Sequence, residues 1–275
     1  MSEQRDEGAR VERIVVAFDT SPLGRAALEA AAALAAALGA EVAGLFVEDL
    51  DLVRMAELPF TRELGLTSAV TRPIDTPDIE RALRLQAQQT RRTLEALAAE
   101  FNLRWSFQTV RGQVLSAVME CVHEPDVVVF GKAAHAAAPR SAWPEPAGFR
   151  RRGRFPRLAV RPIAVLFDDS PRTWRALAAA HSLAGEAGAR LALLIPARSA
   201  EEFGELRDRA KEWLVAQETA ARFVRLKSRE PAEVARAVNA EHAAALLWHD
   251  GEARGERRAF RALLAALRCP VVLVT

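Results

Sequence analysis

The sequence predicts an α/β protein made of two tandem units, each a mostly parallel sheet flanked by helices. Two observations carry that expectation. First, the stretch from Ile14 to Leu45 reappears without a gap as Ile163 to Leu194. One constant offset carries Phe18-Asp19-Thr20-Ser21-Pro22 onto Phe167-Asp168-Asp169-Ser170-Pro171, and Leu28, Leu34, Gly39 and Ala40 onto Leu177, Leu183, Gly188 and Ala189. Second, short β-branched runs alternate with helix-period segments inside each copy, the pattern of a parallel sheet covered on both faces. The repeat is far longer than the roughly 20 to 50 residues of solenoids and propellers, so each copy is expected to form a domain with its own core. The boundaries fall at residues 1–161, with a degenerate C-terminal part, and 162–275.

In the first copy, Arg13 to Phe18 reads as a strand ending at Asp19, and Ser21-Pro22 opens a helix, proline suiting the first turn. That helix runs through an Ala-rich segment to Leu38 and stops at Gly39, which tolerates the left-handed conformation of a helix end. Glu41 to Val47 is a second strand. Glu48 to Pro77 holds several turn formers and patchy periodicity, so a long excursion with room for one short helix is expected there. Asp78 to Phe101 is a charged amphipathic helix, Arg104 to Val110 a strand, Gln113 to His123 a helix, and Asp126 to Phe130 an apolar strand. The second copy offers strands at Pro162–Phe167, Arg190–Ile195, Arg222–Lys227, Ala244–Trp248 and Val271–Val274. Its helices are Arg172–Ala187, Ala200–Ala220, Pro231–Glu241 and Glu256–Leu267. Between Ala133 and Arg161 prolines, scattered alanines and arginines leave little that could bury a helix face.

Among 275 residues, 50% are hydrophobic and 27% charged, the balance of a soluble globular protein. The net charge is only +2, from 38 basic and 36 acidic side chains, so no long-range field recruits a polyanion and nucleic acid is disfavoured as a partner. Cys121 and Cys269 cannot make a disulfide framework; they are read as small buried hydrophobes of a reducing cytosol. The opening MSEQRDEGAR has no apolar segment of the signal-peptide kind, and charge interrupts every apolar run before membrane-spanning length. A cytoplasmic protein with no membrane partner is expected.

The residues carry a resemblance at this point. The segment RIVVAFDTSPLGRAALEAAAALAAALGAEVAGLFVED resembles the first strand, acidic turn, first helix and second strand of the universal stress protein family. DVVVFGK resembles its fourth strand leading to the glycine of the nucleotide loop, and RCPVVLVT its terminal strand. The resemblance covers nearly the whole chain as a tandem pair, with Pro139 to Arg157 the poorest match. It implies two Rossmann-like units and an adenine-nucleotide site where the strand order reverses, at the carboxyl ends of the strands.

On that implication Asp19, with Thr20 and Ser21, receives ribose or adenine donors, the main chain at Val47 meets the base edge, and Gly131 with Lys132 approaches phosphates. The cofactor implied is ATP or a related adenine nucleotide. The competing role for Asp19-Thr20-Ser21 is a helix cap, worth about 0.5 to 2 kcal/mol. Nucleotide-binding members of the family show Gly, two residues, Gly, nine residues, Gly, then Ser or Thr; counted from Gly131, those positions hold Ala134, Pro144 and Glu145. In the second copy His249 or a near neighbour stands where Gly131 does, Gly251 and Gly255 have the wrong spacing, and Asp169 replaces Thr20. Any nucleotide site is therefore expected in the first copy.

No catalytic constellation is visible: there is no Gly-x-Ser-x-Gly elbow, Walker loop or Cys-x-x-Cys pair. His242, His249 and Asp250 are read as solvated or capping residues and not as a metal site, because a helix end and a strand end need not converge. His123, His135 and His181 are read as surface residues. Arg150, Arg151, Arg152, Arg154, Arg157 and Arg161, with Phe149 and Phe155, form a local basic group read as a solvated linker, the alternative being a grip on RNA or a phosphorylated ligand. The expectation is a non-catalytic stress or regulatory factor, with a scaffold protein and a weak ATPase as alternatives. The apolar run Val271-Val272-Leu273-Val274 should pair the two units internally. Its short counterpart Leu158-Ala159-Val160 leaves a surface that a homodimer could complete; no other protein partner can be named.

Overall fold

A computed structural model of the chain describes residues 11–18, 24–49, 54, 62–64, 71–73, 76–121, 127–130, 161–249 and 257–274. In chain order the elements are β1 (Arg13–Phe18), α1 (Gly24–Leu38), β2 (Glu41–Asp49), β3 (Arg62–Leu64), β4 (Thr71–Pro73), α2 (Thr76–Glu100), β5 (Trp105–Gly112), α3 (Val114–Cys121) and β6 (Val127–Phe130). They continue with β7 (Ile163–Leu166), α4 (Pro171–Ala187), β8 (Leu191–Pro196), α5 (Ala200–Ala216), β9 (Ala221–Leu226), α6 (Pro231–Ala240), β10 (Ala245–His249), α7 (Arg257–Ala266) and β11 (Val271–Val274).

Nine strands form one sheet in the order β5-β2-β1-β6-β11-β10-β7-β8-β9. Every neighbouring pair is parallel except β6 and β11, which run antiparallel with Val127 opposite Val274 and Phe130 opposite Val271. The two repeats therefore point their strands in opposite directions, and their carboxyl ends lie on opposite edges of the sheet. Hydrophobicity explains the order. The central strands VVVF, IAVL and VVLV are buried at every position, as strands covered on both faces must be. The outer strand β5 mixes half-buried and exposed residues, and β9 does the same up to its buried last residue, Leu226. On β9, Arg225 folds back to donate to the carbonyls of Ala197 (3.3 Å) and Arg198 (3.0 Å), and such a charge discourages a further strand.

The apolar clusters divide by face of the sheet and not by repeat. One face holds α1, α2, α4 and α5 through Leu34, Leu94, Leu177 and Leu214. The other holds α3, α6 and α7 through Val118, Val238 and Phe260. Both clusters cross the β6–β11 junction, so the two copies share their cores where one core per copy was expected. α1 packs directly on α4, and buried alanines of both helices, such as Ala30, Ala31, Ala179 and Ala180, belong to one cluster. On the opposite face Phe130 meets Phe260 edge-on at 5.5 Å, and Arg261 donates to Gln113 at 3.0 Å.

Phe130 pairs with Val271, Val271 with Leu246, and Leu246 with Ala164. The end of β6 and the start of β7 thus share one edge, three strand spacings or about 14 Å apart. Both edges of β6 and both edges of β11 are occupied within the chain. Leu158-Ala159-Val160 and the Arg150–Arg157 group lie outside the described residues.

Local signals account for most boundaries. Ser170 caps α4, Pro171 fills its first position and Gly188 ends it at φ 65°. Ser199 accepts from the Glu202 amide at 3.0 Å while the Glu202 carboxylate accepts from the Arg198 amide at 2.6 Å, a reciprocal cap for α5. That helix stops at Ala216 rather than Ala220, because Glu218 takes a left-handed conformation (φ 52°) and the Thr219 amide bonds back to Leu214. β2 extends to Asp49, and within the expected excursion β3 and β4 form an antiparallel ladder. Three residues per strand are too few to leave a period-2 signal.

Cys269 is buried, and burial pushes its thiol up to about 12. Cys121 is half-buried. A thiol-reactive dye added to the folded chain near pH 8 should therefore label Cys121 well before Cys269. Equal labelling rates, read by peptide mass, would contradict this packing.

Candidate functional site

Open parallel sheets take ligands at the carboxyl ends of strands where the order reverses. In the first repeat that place lies between β1 and β6, because β1 is followed by β2 on its other side. Phe18 and Phe130 end these two neighbouring strands, with Ala17 in register with Phe130. Asp19, Thr20, Ser21, Gly131 and Lys132 follow immediately and lie outside the described residues. The strand ends that carry the two segments are thus side by side at the reversal point. Val47 sits inside β2, in register with Val110 of β5 and 1% exposed, two residues before the strand ends.

The second repeat shows the same turn in full. Asp168 follows β7, and one of its carboxylate oxygens accepts from the Ser170 amide (3.0 Å) and from the Thr173 hydroxyl (2.9 Å). Its other oxygen is paired with Arg229, from the connection after β9. Asp169 has φ 68°, a left-handed conformation that aspartate tolerates better than most residues. Its carboxylate accepts from Trp174 Nε1 at 2.9 Å and pairs with Arg209 of α5. Ser170 accepts from the Thr173 amide at 3.4 Å and so caps α4. In this copy the motif organises the turn and the helix start, and both acids have their acceptor sites filled by the protein itself.

Sequence correspondence then distinguishes the copies. Thr173 and Trp174, two of the donors that fill the acids, stand where the first copy has Gly24 and Arg25, and Asp169 stands where it has Thr20. The counterpart of Val47 is Pro196, the last residue of β8. Proline has no N–H, so main-chain pairing that needs a donor and an acceptor from this one residue is closed to the second repeat.

A second charged chain lies on the first repeat's carboxyl edge. Arg111, on β5, donates through Nε to the buried Glu48 at 2.7 Å and reaches Glu80 of α2 at 3.4 Å; Arg84 meets the same Glu80 at 3.4 Å. The hydrogen bond to Glu48 is the leading cause that raises the Arg111 pKa above its ordinary value. These residues tie the start of α2 to the ends of β2 and β5. Their wide separation along the chain left no sequence signal.

The histidines do not converge. His249 ends β10 and is buried beside Trp248, with ring centroids 6.5 Å apart, which corrects the expectation of a solvated residue. Its strand is covered on both faces, so even the last position is enclosed. His242 follows α6 at φ 52°, its amide donating to the Asn239 carbonyl at 3.2 Å. His181 is half-buried: it shares a 2.7 Å hydrogen bond with Thr219 and packs edge-on against Trp213. Asp250, His123 and His135 lie outside the described residues. Among the described residues no group of three or more His, Cys, Asp or Glu side chains could hold a metal ion.

The sequence matches no protein-family model and no curated protein. Solved structures are similar to it. A universal stress protein from Archaeoglobus fulgidus is 12% identical, with 96% of each chain covered and a TM-score of 0.56. A protein of the universal stress protein family from Burkholderia pseudomallei is 14% identical over 79% of this chain and 98% of that one, at 0.32. The cytoplasmic domain of a prokaryotic cation chloride cotransporter is 11% identical over 96% and 95%, at 0.43. The first of these spans nearly the whole of both chains. The chain therefore has the Rossmann-like α/β fold of the universal stress proteins, its two sequence repeats joined in one sheet.

Proposed function

We propose that this is a non-catalytic stress-response or regulatory protein of the universal stress type, acting in the cytoplasm, in which repeat 1–161 holds ATP or a related adenine nucleotide. The proposed contacts are Asp19, Thr20 and Ser21 for the nucleoside, the Val47 main chain for the base edge, and Gly131 with Lys132 for phosphate. The observation that carries the proposal is the contrast between the copies. In repeat 162–275 Thr173, Trp174, Arg209 and Arg229 fill the acids. The first copy has neither the threonine nor the tryptophan. On this reading Asp19, without that threonine and tryptophan, accepts from a ribose or an adenine amine. Enzyme chemistry is not proposed, since the sequence carries no Gly-x-Ser-x-Gly elbow, Walker loop or Cys-x-x-Cys pair. Among the described residues no helix is long and apolar enough to cross a membrane.

A scaffold role that needs no nucleotide is the second reading, and Ala134, Pro144 and Glu145 in place of the loop's glycines and hydroxyl favour it. If the scaffold self-associates as a homodimer, it does so through a surface other than β11, whose two edges are paired within the chain.

Calorimetric titration of ATP into the full chain separates the readings. One saturable site per chain is expected. Asp19→Asn should weaken binding about tenfold, the loss of one charged hydrogen-bond acceptor, with an unchanged melting temperature. Asp168→Asn should leave binding intact and lower stability by about 1 kcal/mol, since it removes the charge from the acceptor of the Ser170 amide and the Thr173 hydroxyl. Absence of saturable binding would remove the nucleotide reading and leave the scaffold.

A further inference from the structure

We propose that Arg209 and Arg229 form an ionic latch over the carboxyl ends of β7, β8 and β9 in the second repeat, beside the β7–β10 reversal point and on the other side of β7 from it. Arg229 follows β9, and its partner Asp168 follows β7, with β8 between them. The two side chains therefore meet across the end of β8, between strands two spacings or about 10 Å apart. β8 ends at Pro196, the counterpart of Val47. Arg209 comes from α5 and closes on Asp169 in the same turn.

The exposures say which partner moves. The acids are largely enclosed, at 18% for Asp168 and 22% for Asp169, while Arg229 is 39% exposed and Arg209 62%. The arginines reach in from the solvent side and lose little if they swing out. The acids cannot follow: they are adjacent in sequence, carry like charge, and one is held at positive φ. Removing both cations leaves two enclosed carboxylates repelling across one peptide unit. The turn must then open, and the cap on α4 opens with it, because the Thr173 hydroxyl that bonds Asp168 also accepts from Ser170 Oγ at 3.3 Å. Trp174 couples this turn to the helix pair, since it bonds Asp169 and packs on Phe167 at 4.9 Å and on Trp213 of α5 at 6.1 Å. The latch thus ties three separate elements, the β7–α4 turn, α5 and the connection after β9, at one end of the sheet.

Amide hydrogen exchange on the full chain tests this. Partly exposed ion pairs are screened by salt, so raising NaCl from about 0.05 M to about 0.5 M should speed exchange of peptides spanning Phe167 to Arg175 about fivefold. Peptides from β1 and β2 should keep their rates. The Arg209→Gln, Arg229→Gln double variant should show the faster exchange already at low salt, with no further response to salt. A salt-independent rate in the parent chain would overturn the latch, as would a double variant protected like the parent. Should the double variant lose protection everywhere, the salt series on the parent still decides the matter.

Discussion

A lysine at position 272 is expected to abolish cooperative folding of both repeats at once. Val272 is fully buried in β11, in register with Leu247 on one side and Val129 on the other. Val272 belongs to the apolar cluster on the α1 and α4 face of the sheet. An ammonium group placed there without a partner costs several kcal/mol, a large share of the roughly 5 to 15 kcal/mol that holds a domain together. Because β11 is the strand by which the second repeat joins β6 of the first, the damage cannot stay in one copy. Val272→Ile, which adds one methylene and no charge, serves as the control and should cost about 1 to 3 kcal/mol while unfolding stays cooperative. Thermal unfolding followed at Trp105 in the first repeat and at Trp213 in the second, each as the sole tryptophan, gives the readout. A lysine variant that melts at the parent temperature would show that this strand is not enclosed. One in which only the Trp213 signal is lost would show that the shared sheet does not couple the copies.

That junction was half legible in the sequence. Val271 to Val274 announced a strand buried on both faces, and pairing of the two units near the terminal strands was expected. Its partner was not legible, because the choice of β6 over a strand from Leu158-Ala159-Val160 depends on which edge is free once the sheet is assembled. The constant offset between the copies gave the acid turn of the second repeat residue for residue. The residues that hold that turn were hidden: Arg209 and Arg229 lie about 40 and 60 positions further along and belong to no local pattern. Thr173 and Trp174 were visible only as helix residues, although their replacement by Gly24 and Arg25 is the sharpest difference between the two copies. Regular elements follow from periodicity, whereas a site that gathers side chains from a turn, a distant helix and a further connection needs the fold before it can be seen.

Gly44 shows the same limit at a position where the consequence is large. It lies in the middle of β2, paired with Val16 and Phe107, and the matching position of the second repeat is the fully buried Leu193. Glycine is thus no requirement of this strand as such. The demand comes from its neighbours, since a Cβ added there would stand 2.7 Å from Leu94 Cδ2, 2.8 Å from Phe107 Cδ2 and 3.4 Å from Phe18 Cε2. Leu94 is 2% exposed and cannot turn out to solvent, while Phe107 is an edge-strand ring with some room. Alanine should be absorbed by a shift of these side chains at about 1 kcal/mol, and valine should cost about 2 to 3 kcal/mol as the core is overpacked. For a chain of this size the valine variant should melt roughly 5 to 10 °C below the parent. Trimming the obstacle gives the decisive comparison: in the Leu94→Ala background the added valine should recover at least about 1 kcal/mol relative to its cost in the parent, the coupling of two residues in contact. A valine variant that melts with the parent, or strict additivity with Leu94→Ala, would mean that α2 does not press on β2 at this point.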